Sequence, residues 1–272
     1  MIRSSLVLLF ALFFHSLQLH AQGNLLINPK RVVFDGGSRS QEINLINIGK
    51  DSARYAVSFV QYRMTSDGRL ELIDKPDPGQ LFADKNLRIF PRTVVLAPNE
   101  AQVVKVQVTQ TDKLQPGEYR SHLYFRALAD ERPLGLKKDT PDSKDLSVQL
   151  KAVFGISIPV IIRKGTSTAK ASISEVHIAN PGTGPVASFR INRSGNMSVY
   201  GDITVEHISA GGKVTVAGLA KGVSVYAPMP YREMQVVLGS GIDYRTGKLR
   251  VIYTAPALEN KAQLAVAEAI LK

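Results

Sequence analysis

Residues 146–163 read LSVQLKAVFGISIPVIIR. Apolar side chains fall on every second position: Leu146, Val148, Leu150, Ala152, Phe154, Ile156, Ile158, Val160 and Ile162. Ser147, Gln149 and Lys151 stand between the first of them. A period of two marks a β-strand with one face buried. At the rise of an extended chain the run would span roughly 60 Å, about three times the length of an ordinary strand. One small sandwich cannot bury all of it. Either the strand bends and breaks, or part of its apolar face waits for a partner.

The flanks sharpen that choice. Residues 129–145, ADERPLGLKKDTPDSKD, are charged, contain Pro133 and Pro141, and carry no apolar period. They read as an exposed, mobile loop feeding straight into the long strand. A poorly tethered apolar edge is an aggregation hazard unless it has a use. Downstream, residues 164–168 (KGTST) form a short linker of small residues.

On either side of this stretch the chain reads as short strands separated by turn signals about every ten residues, the pattern of antiparallel β-sandwiches. Before it, strands are expected over residues 25–27, 31–34, 42–48, 54–62, 87–91, 101–109 and 118–128, with turns at Asp35-Gly36-Gly37, Asp67-Gly68 and Pro116-Gly117. After it, they are expected over 171–178, 186–192, 198–206, 213–217, 234–238 and 248–254. The tail, 262–271, is rich in Ala and Glu, which favours helix. It is read as a strand because a second sandwich needs one to close it. The expectation is all-β, with a first domain over 22–163, a hinge over 164–168 and a second β-sandwich over 169–272.

The N-terminus carries Arg3 and then the apolar run LVLLFALFF, residues 6–14, too short to span a bilayer comfortably. With Leu19-His20-Ala21 ahead of Gln22, residues 1–21 read as a cleaved secretory signal peptide, so the mature protein is expected to be exported and soluble. Cysteine is absent, so no disulfide can hold the fold and core burial must do so alone. The net charge of +11 comes from 34 basic and 23 acidic residues, but no basic run exceeds two residues. Nucleic-acid surfaces concentrate such charge, and nucleic-acid binding is not expected.

Enzymatic signals are weak. The histidines are His15, His20, His122, His177 and His207, with none at metal-ligand spacing, so neither a metal nor a cofactor is expected. Ser167-Thr168-Ala169-Lys170 matches a serine-nucleophile pattern by letters but lies in the hinge rather than at a helix start in a pocket. No catalytic residue is assigned.

Several stretches resemble the periplasmic chaperones of chaperone–usher pili, the PapD-like family. They are Arg31-Val32-Val33-Phe34-Asp35-Gly36, Leu96-Ala97-Pro98 with residues 102–106 (QVVKV), residues 119–126, the charged loop, and the long strand ending in Arg163. Residues 191–195 (INRSG) followed by Ser198-Val199-Tyr200-Gly201-Asp202 extend the likeness through the second half. The resemblance implies two immunoglobulin-like domains in an L, with the long strand lent to an incomplete pilus or fimbrial subunit. An outer-membrane usher would then receive that subunit. Strand addition of this kind takes its affinity from main-chain hydrogen bonds and its specificity from alternate side chains.

On this resemblance Leu146, Val148, Leu150, Ala152 and Phe154 would fill the subunit's groove, and Arg31 would bind the subunit's C-terminal carboxylate. A guanidinium suits that task because it donates two parallel hydrogen bonds and keeps its charge. The family's second anchor is a lysine on the long strand; Pro159 stands there, removing both a charge and a backbone donor. Lys151 and Lys164 are the conceivable substitutes. Arg163 corresponds to the family's hinge arginine and Asp243 to its partner acid from the second domain. A further acid is replaced by Arg120, with Glu118 two residues away. The bare strand also offers a route to self-association. The other reading is a structural or adhesive immunoglobulin-like exported protein whose long strand completes its own core.

Overall fold

The computed structural model describes residues 25–128, 154–180, 182, 184–256 and 262–271. The expected signal peptide, the charged loop and four of the five groove-filling positions (Leu146, Val148, Leu150 and Ala152) lie outside them.

The first half builds β1 (Leu25–Asn28), β2 (Val32–Phe34), β3 (Ser40–Asn47), β4 (Ala53–Val60), a hairpin of β5 (Tyr62–Met64) and β6 (Leu70–Leu72), β7 (Leu87–Phe90), β8 (Thr93–Leu96), β9 (Ala101–Val108), β10 (Gly117–Leu128) and β11 (Gly155–Lys164). They form sheets ordered β1-β3-β9-β7 and β2-β11-β10-β4-β8. The inward faces of the two sheets meet in one core that includes Ile43, Leu45, Val104, Val106, Leu123, Phe125, Ile158, Val160 and Ile162. Each larger aliphatic so buried stabilises the fold by about 1.5–3 kcal/mol.

The second half builds β12 (Lys170–Ala179), β13 (Val186–Ser194), β14 (Val199–Ile208), β15 (Val214–Val225), β16 (Tyr231–Val237), β17 (Lys248–Thr254) and β18 (Gln263–Ile270). Their sheets run β12-β13-β16 and β15-β14-β17-β18, around a separate core of Phe189, Ile191, Ile203, Val205, Leu249, Val251 and Tyr253. The ambiguous tail is a strand, β18, paired antiparallel with β17. Pairing with a waiting sheet edge outweighs the helical preference of its alanines.

Three elements depart from the reading of the sequence. β8 follows Pro91 so closely that it was indistinguishable from the end of β7, yet it pairs with β4. β15 runs to Val225, well past Ala217, across Gly218 and Gly222, and shifts register against β14 twice. The irregularity hides the period of two. The β5–β6 hairpin has an all-exposed second strand, Leu70–Leu72, and no face for periodicity to report.

Two small devices join the sandwiches. Asn196 staples the linker: its Oδ1 accepts from the Thr168 N–H at 2.9 Å, and its Nδ2 donates to the Thr166 carbonyl at 3.0 Å. The tip of the β5–β6 hairpin reaches the second half, where the Glu233 N–H donates to the Ser66 carbonyl at 2.6 Å. Gly68 there has φ +84°, and a Cβ on it would lie 2.2 Å from Arg232 Nε. Gly68→Ala is therefore expected to combine left-handed strain with displacement of that guanidinium, at a cost of about 1–2 kcal/mol in urea unfolding. A cost within ~0.3 kcal/mol of zero would show that the hairpin tip is free of the second sandwich in solution.

Candidate functional site

The site begins with the two faces of β10. Tyr119, Leu123, Phe125 and Ala127 point into the first core, so Glu118, Arg120, His122 and Tyr124 point outward. An isolated sandwich would leave them in water. Instead Glu118, Arg120 and His122 are buried, because Ser198 and Tyr226 of the second half and Tyr62 of the β5–β6 hairpin cover that face. Ile161 of β11, Met64 and Tyr226 form a small apolar cluster at the junction, with Val33 and Met229 packed against it.

Glu118 faces Arg163 directly across the β10–β11 ladder. Arg163 Nε donates to Glu118 Oε2 at 3.1 Å, and Arg163 Nη2 donates to the Ser198 carbonyl at 3.0 Å. The Ser198 N–H donates to the same carboxylate oxygen at 3.1 Å, while its hydroxyl donates to Glu118 Oε1. Ser198 Oγ in turn accepts from the Ala227 N–H at 2.9 Å. One acid thus binds a strand of the first sandwich to two loops of the second. Arg193 shapes those loops, donating to the carbonyls of Met229 at 2.7 Å, Gly195 at 2.8 Å and Met197 at 3.0 Å.

The acid assigned to Arg163, Asp243, is elsewhere. Its carboxylate is clasped by Arg245 at 2.9 and 3.0 Å within an exposed turn, and those hydrogen bonds hold it down to about 2. Glu118 wins Arg163 because the ladder sets the two opposite each other, whereas Asp243 has a guanidinium two residues away. Arg163 therefore pairs with Glu118 within the first sandwich, and the pair reaches the second through Ser198; Asp243 is held by Arg245 instead.

Arg31 lies just ahead of β2. Its Cζ stands 4.3 Å from the centroid of the Tyr200 ring and 6.0 Å from that of Tyr226. Arg120 Cζ sits 4.1 Å from the Tyr226 centroid. Burial pulls the Arg120 guanidinium below its ordinary pKa; Tyr226 and Glu118 oppose that, and Arg31 adds to it. His122 meets the edges of Tyr62 at 4.9 Å and Tyr226 at 6.2 Å, both T-shaped. Burial, with Arg120 and Arg31 adding to it, depresses its imidazole to about 3, so it is neutral at any physiological pH. His177 and His207 make ordinary hydrogen bonds to the carbonyls of Glu175 and Thr246.

The second part of the site is β11. β2 pairs with it in parallel only over Val160–Ile162. From Gly155 to Pro159, β10 lies on one side and no other strand among the described residues pairs on the other. Pro159 is tolerated there because proline is admitted at strand edges. Gly155 sits beneath the Tyr124 ring, which a Cβ would approach to 2.3 Å. Ile158 is buried and Ile156 packs against the core, but Phe154, next on the same face, is 48% exposed. Among the described residues of this face, Ile156 is the last that packs against the first core.

Sequence reasoning had named Arg31, Arg163 and Phe154 but gave no role to Arg120, His122, Ser198, Tyr200 or Tyr226. The alternation Glu118-x-Arg120-x-His122 was visible as a polar face. Nothing in a single strand says that another domain buries it.

No family model matches the chain, and no curated protein matches it. Solved structures do match over most of its length, several chaperones among them. The YadV chaperone is 13% identical, with 91% of this chain and all of that one covered, at a TM-score of 0.45. The Pseudomonas aeruginosa CupB2 chaperone is 13% identical over 91% of this chain and all of that one, with a TM-score of 0.44. The class 5 fimbriae chaperone CfaA is 15% identical over 92% of this chain and 99% of that one, with a TM-score of 0.42. Likeness at this level carries no argument about function. That argument rests on the residues themselves.

Proposed function

We propose that this protein is an exported chaperone of the chaperone–usher type. On this reading residues 1–21 direct export to the periplasm, 22–163 and 169–272 are two immunoglobulin-like domains, and 164–168 is the hinge. The protein binds pilus or fimbrial subunits by lending them the stretch that begins at Leu146, and passes them to an outer-membrane usher. It is not an enzyme.

The observation that carries this reading is the state of β11. Among the described residues its apolar face packs against the protein's own core as far as Ile156, and Phe154 is already half in water. In the sequence the same face continues through Ala152, Leu150, Val148 and Leu146. The edge beside Gly155–Pro159 has no partner strand among the described residues, which is what an incoming strand requires. Arg31 at the cleft, with one buried guanidinium nitrogen lacking an acceptor, supports its reading as the anchor of a subunit's terminal carboxylate.

The test is affinity capture of the tagged protein from periplasm, wild type against Val148→Glu plus Leu150→Glu. Small β-rich subunits are expected with wild type only, with residues 146–154 slowing in amide exchange when a subunit is bound. Equal capture by the folded double variant, or a variant that cannot fold, would assign the strand to this protein's own core. An immunoglobulin-like surface module would then be the better reading.

A further inference from the structure

Gly155 opens β11 without a side chain, although its φ lies outside the left-handed region that favours glycine. What excludes a side chain there is Tyr124: an added Cβ would collide with its hydroxyl oxygen and Cε2. Tyr124 pairs with Ser157 across the β10–β11 ladder, whereas Gly155 pairs with Arg126. The ring therefore leans diagonally over β11, and its hydroxyl end occupies the place of the missing Cβ. Its surroundings on this outward face are small. Ser157 on β11 and Ser58 on β4 stand opposite Tyr124, and Ala56 stands opposite Arg126. The Tyr124 side chain is half-buried, and its hydroxyl has no hydrogen-bond partner among the described residues.

The main chain beneath the ring faces the open edge. The Ala127 N–H donates to the Phe154 carbonyl at 2.9 Å, so the even-numbered residues of this strand turn their N–H and C=O toward β10. Gly155, Ser157 and Pro159 turn theirs the other way, along the edge that β2 reaches only from Val160. Proline has no N–H, so Gly155 and Ser157 hold the donors of that edge.

We propose that Tyr124 is the outward side chain through which this edge selects the strand that joins it. The occupant is an extended strand of another chain, the subunit of the chaperone reading, on which the proposal rests. That strand hydrogen-bonds the main chain of Gly155 and Ser157. The residue it sets opposite Gly155 finds no side chain on the glycine and meets the end of the Tyr124 ring instead. Directly opposed Cβ atoms stand about 4.5–5.5 Å apart, and the ring end, sitting where a Cβ would, restores that contact. A ring edge with a free hydroxyl suits a residue that offers both apolar surface and a hydrogen bond, of which threonine is the simplest. Phe154 and Ile156 lie on the opposite face, so this contact is separate from groove filling.

The experiment uses the full exported protein, tagged, with the small subunits that co-purify with it from periplasm as the probe. Their release is timed after adding excess untagged wild type. Tyr124→Phe is expected to release them about 2–10-fold faster, the loss of one hydrogen bond, with its urea midpoint unchanged. Tyr124→Ala is expected to release them more than ~10-fold faster, since ring contact is lost as well. Gly155→Ala displaces the ring and is expected to match Tyr124→Ala. In the Tyr124→Ala background the same glycine change is expected to alter release by less than about twofold, because there is no ring left to displace. The chain has no tryptophan, so Tyr124→Trp puts a single reporter at the contact. Its emission, read against the wild-type complex, is expected to move to the blue when a subunit is bound. The phenylalanine and tryptophan variants carry the test if Tyr124→Ala does not fold. Faster release from Tyr124→Ala alone assigns the contact to the ring rather than the hydroxyl. Wild-type release from every Tyr124 variant that folds, or emission that does not move on capture, would overturn the proposal and leave the chaperone reading standing. If wild type captures no subunit, or only a second copy of itself, the chaperone reading fails and this contact falls with it.

Discussion

Glu118→Ala is expected to destabilise the protein by about 3–5 kcal/mol, the range for removing one partner of a buried charge pair. The side chain is 2% exposed and holds Arg163, itself 23% exposed, at 3.1 Å. Truncation strands the Arg163 Nε–H and the Ser198 N–H together, and it leaves the positive field of Arg31, Arg120 and Arg163 without the only buried acid among the described residues. Glu118→Gln keeps an acceptor and discards the charge, so it is expected to cost less, about 1.5–3 kcal/mol. Arg163→Met removes the other half and leaves an unpaired carboxylate, still hydrogen-bonded by Ser198. The double variant Glu118→Ala plus Arg163→Met removes both charges and is expected to recover most of the loss, giving a coupling of about 2 kcal/mol or more. Urea unfolding followed in the far-ultraviolet measures all four. Because the pair ties both sandwiches together, loss of Glu118 is also expected to split a single transition into two. A loss under ~1 kcal/mol with one transition retained would mean that water already reaches the carboxylate, as at a surface pair.

How much of this was legible in the sequence depended on whether one strand or two domains decided the matter. Strands with an unbroken period of two, such as Ala101–Val108 with its alternating Val104, Val106 and Val108, could be read almost to the residue. So could the end of β11, which runs to Lys164 against an expected last strand residue of Arg163. β15 could not, because its bulges shift which residues face inward. The cleft was harder for a different reason. Ser198, Tyr200 and Tyr226 come from loops and strand ends of the second sandwich, and their meeting with Glu118, Arg120 and His122 is a fact of domain packing, not of local pattern. Resemblance supplied Arg163 with the wrong acid for the same reason. It matched a position in a turn, while the ladder between β10 and β11 had already placed Glu118 opposite the guanidinium.

His122 makes the burial of that polar face measurable as a pH dependence. Its imidazole is held at about 3, chiefly by burial, against an ordinary value of 6.5. In the unfolded chain it takes up a proton as the pH falls through 6.5; in the folded protein it does not until about 3. Between those values the unfolded state binds more protons, so stability rises with pH across that window and is lost on acidification. The slope falls away as the pH rises through 6.5 and is nearly gone about one unit above it. One proton corresponds to about 1.4 kcal/mol per pH unit, so wild type is expected to lose some 2–3 kcal/mol between pH 6 and pH 4 from this residue alone. His122→Phe cannot titrate, fits edge-on to the same two tyrosines, and removes two nitrogens that have no hydrogen-bond partner. The difference between wild type and His122→Phe isolates the term, since Glu118 and every exposed carboxylate are common to both. That difference is expected to be nearly flat above pH 7 and to grow steadily in favour of phenylalanine below pH 6. Parallel pH profiles would mean that the imidazole is protonated and hydrated in the folded protein, and that the outward face of β10 is not sealed by the second sandwich.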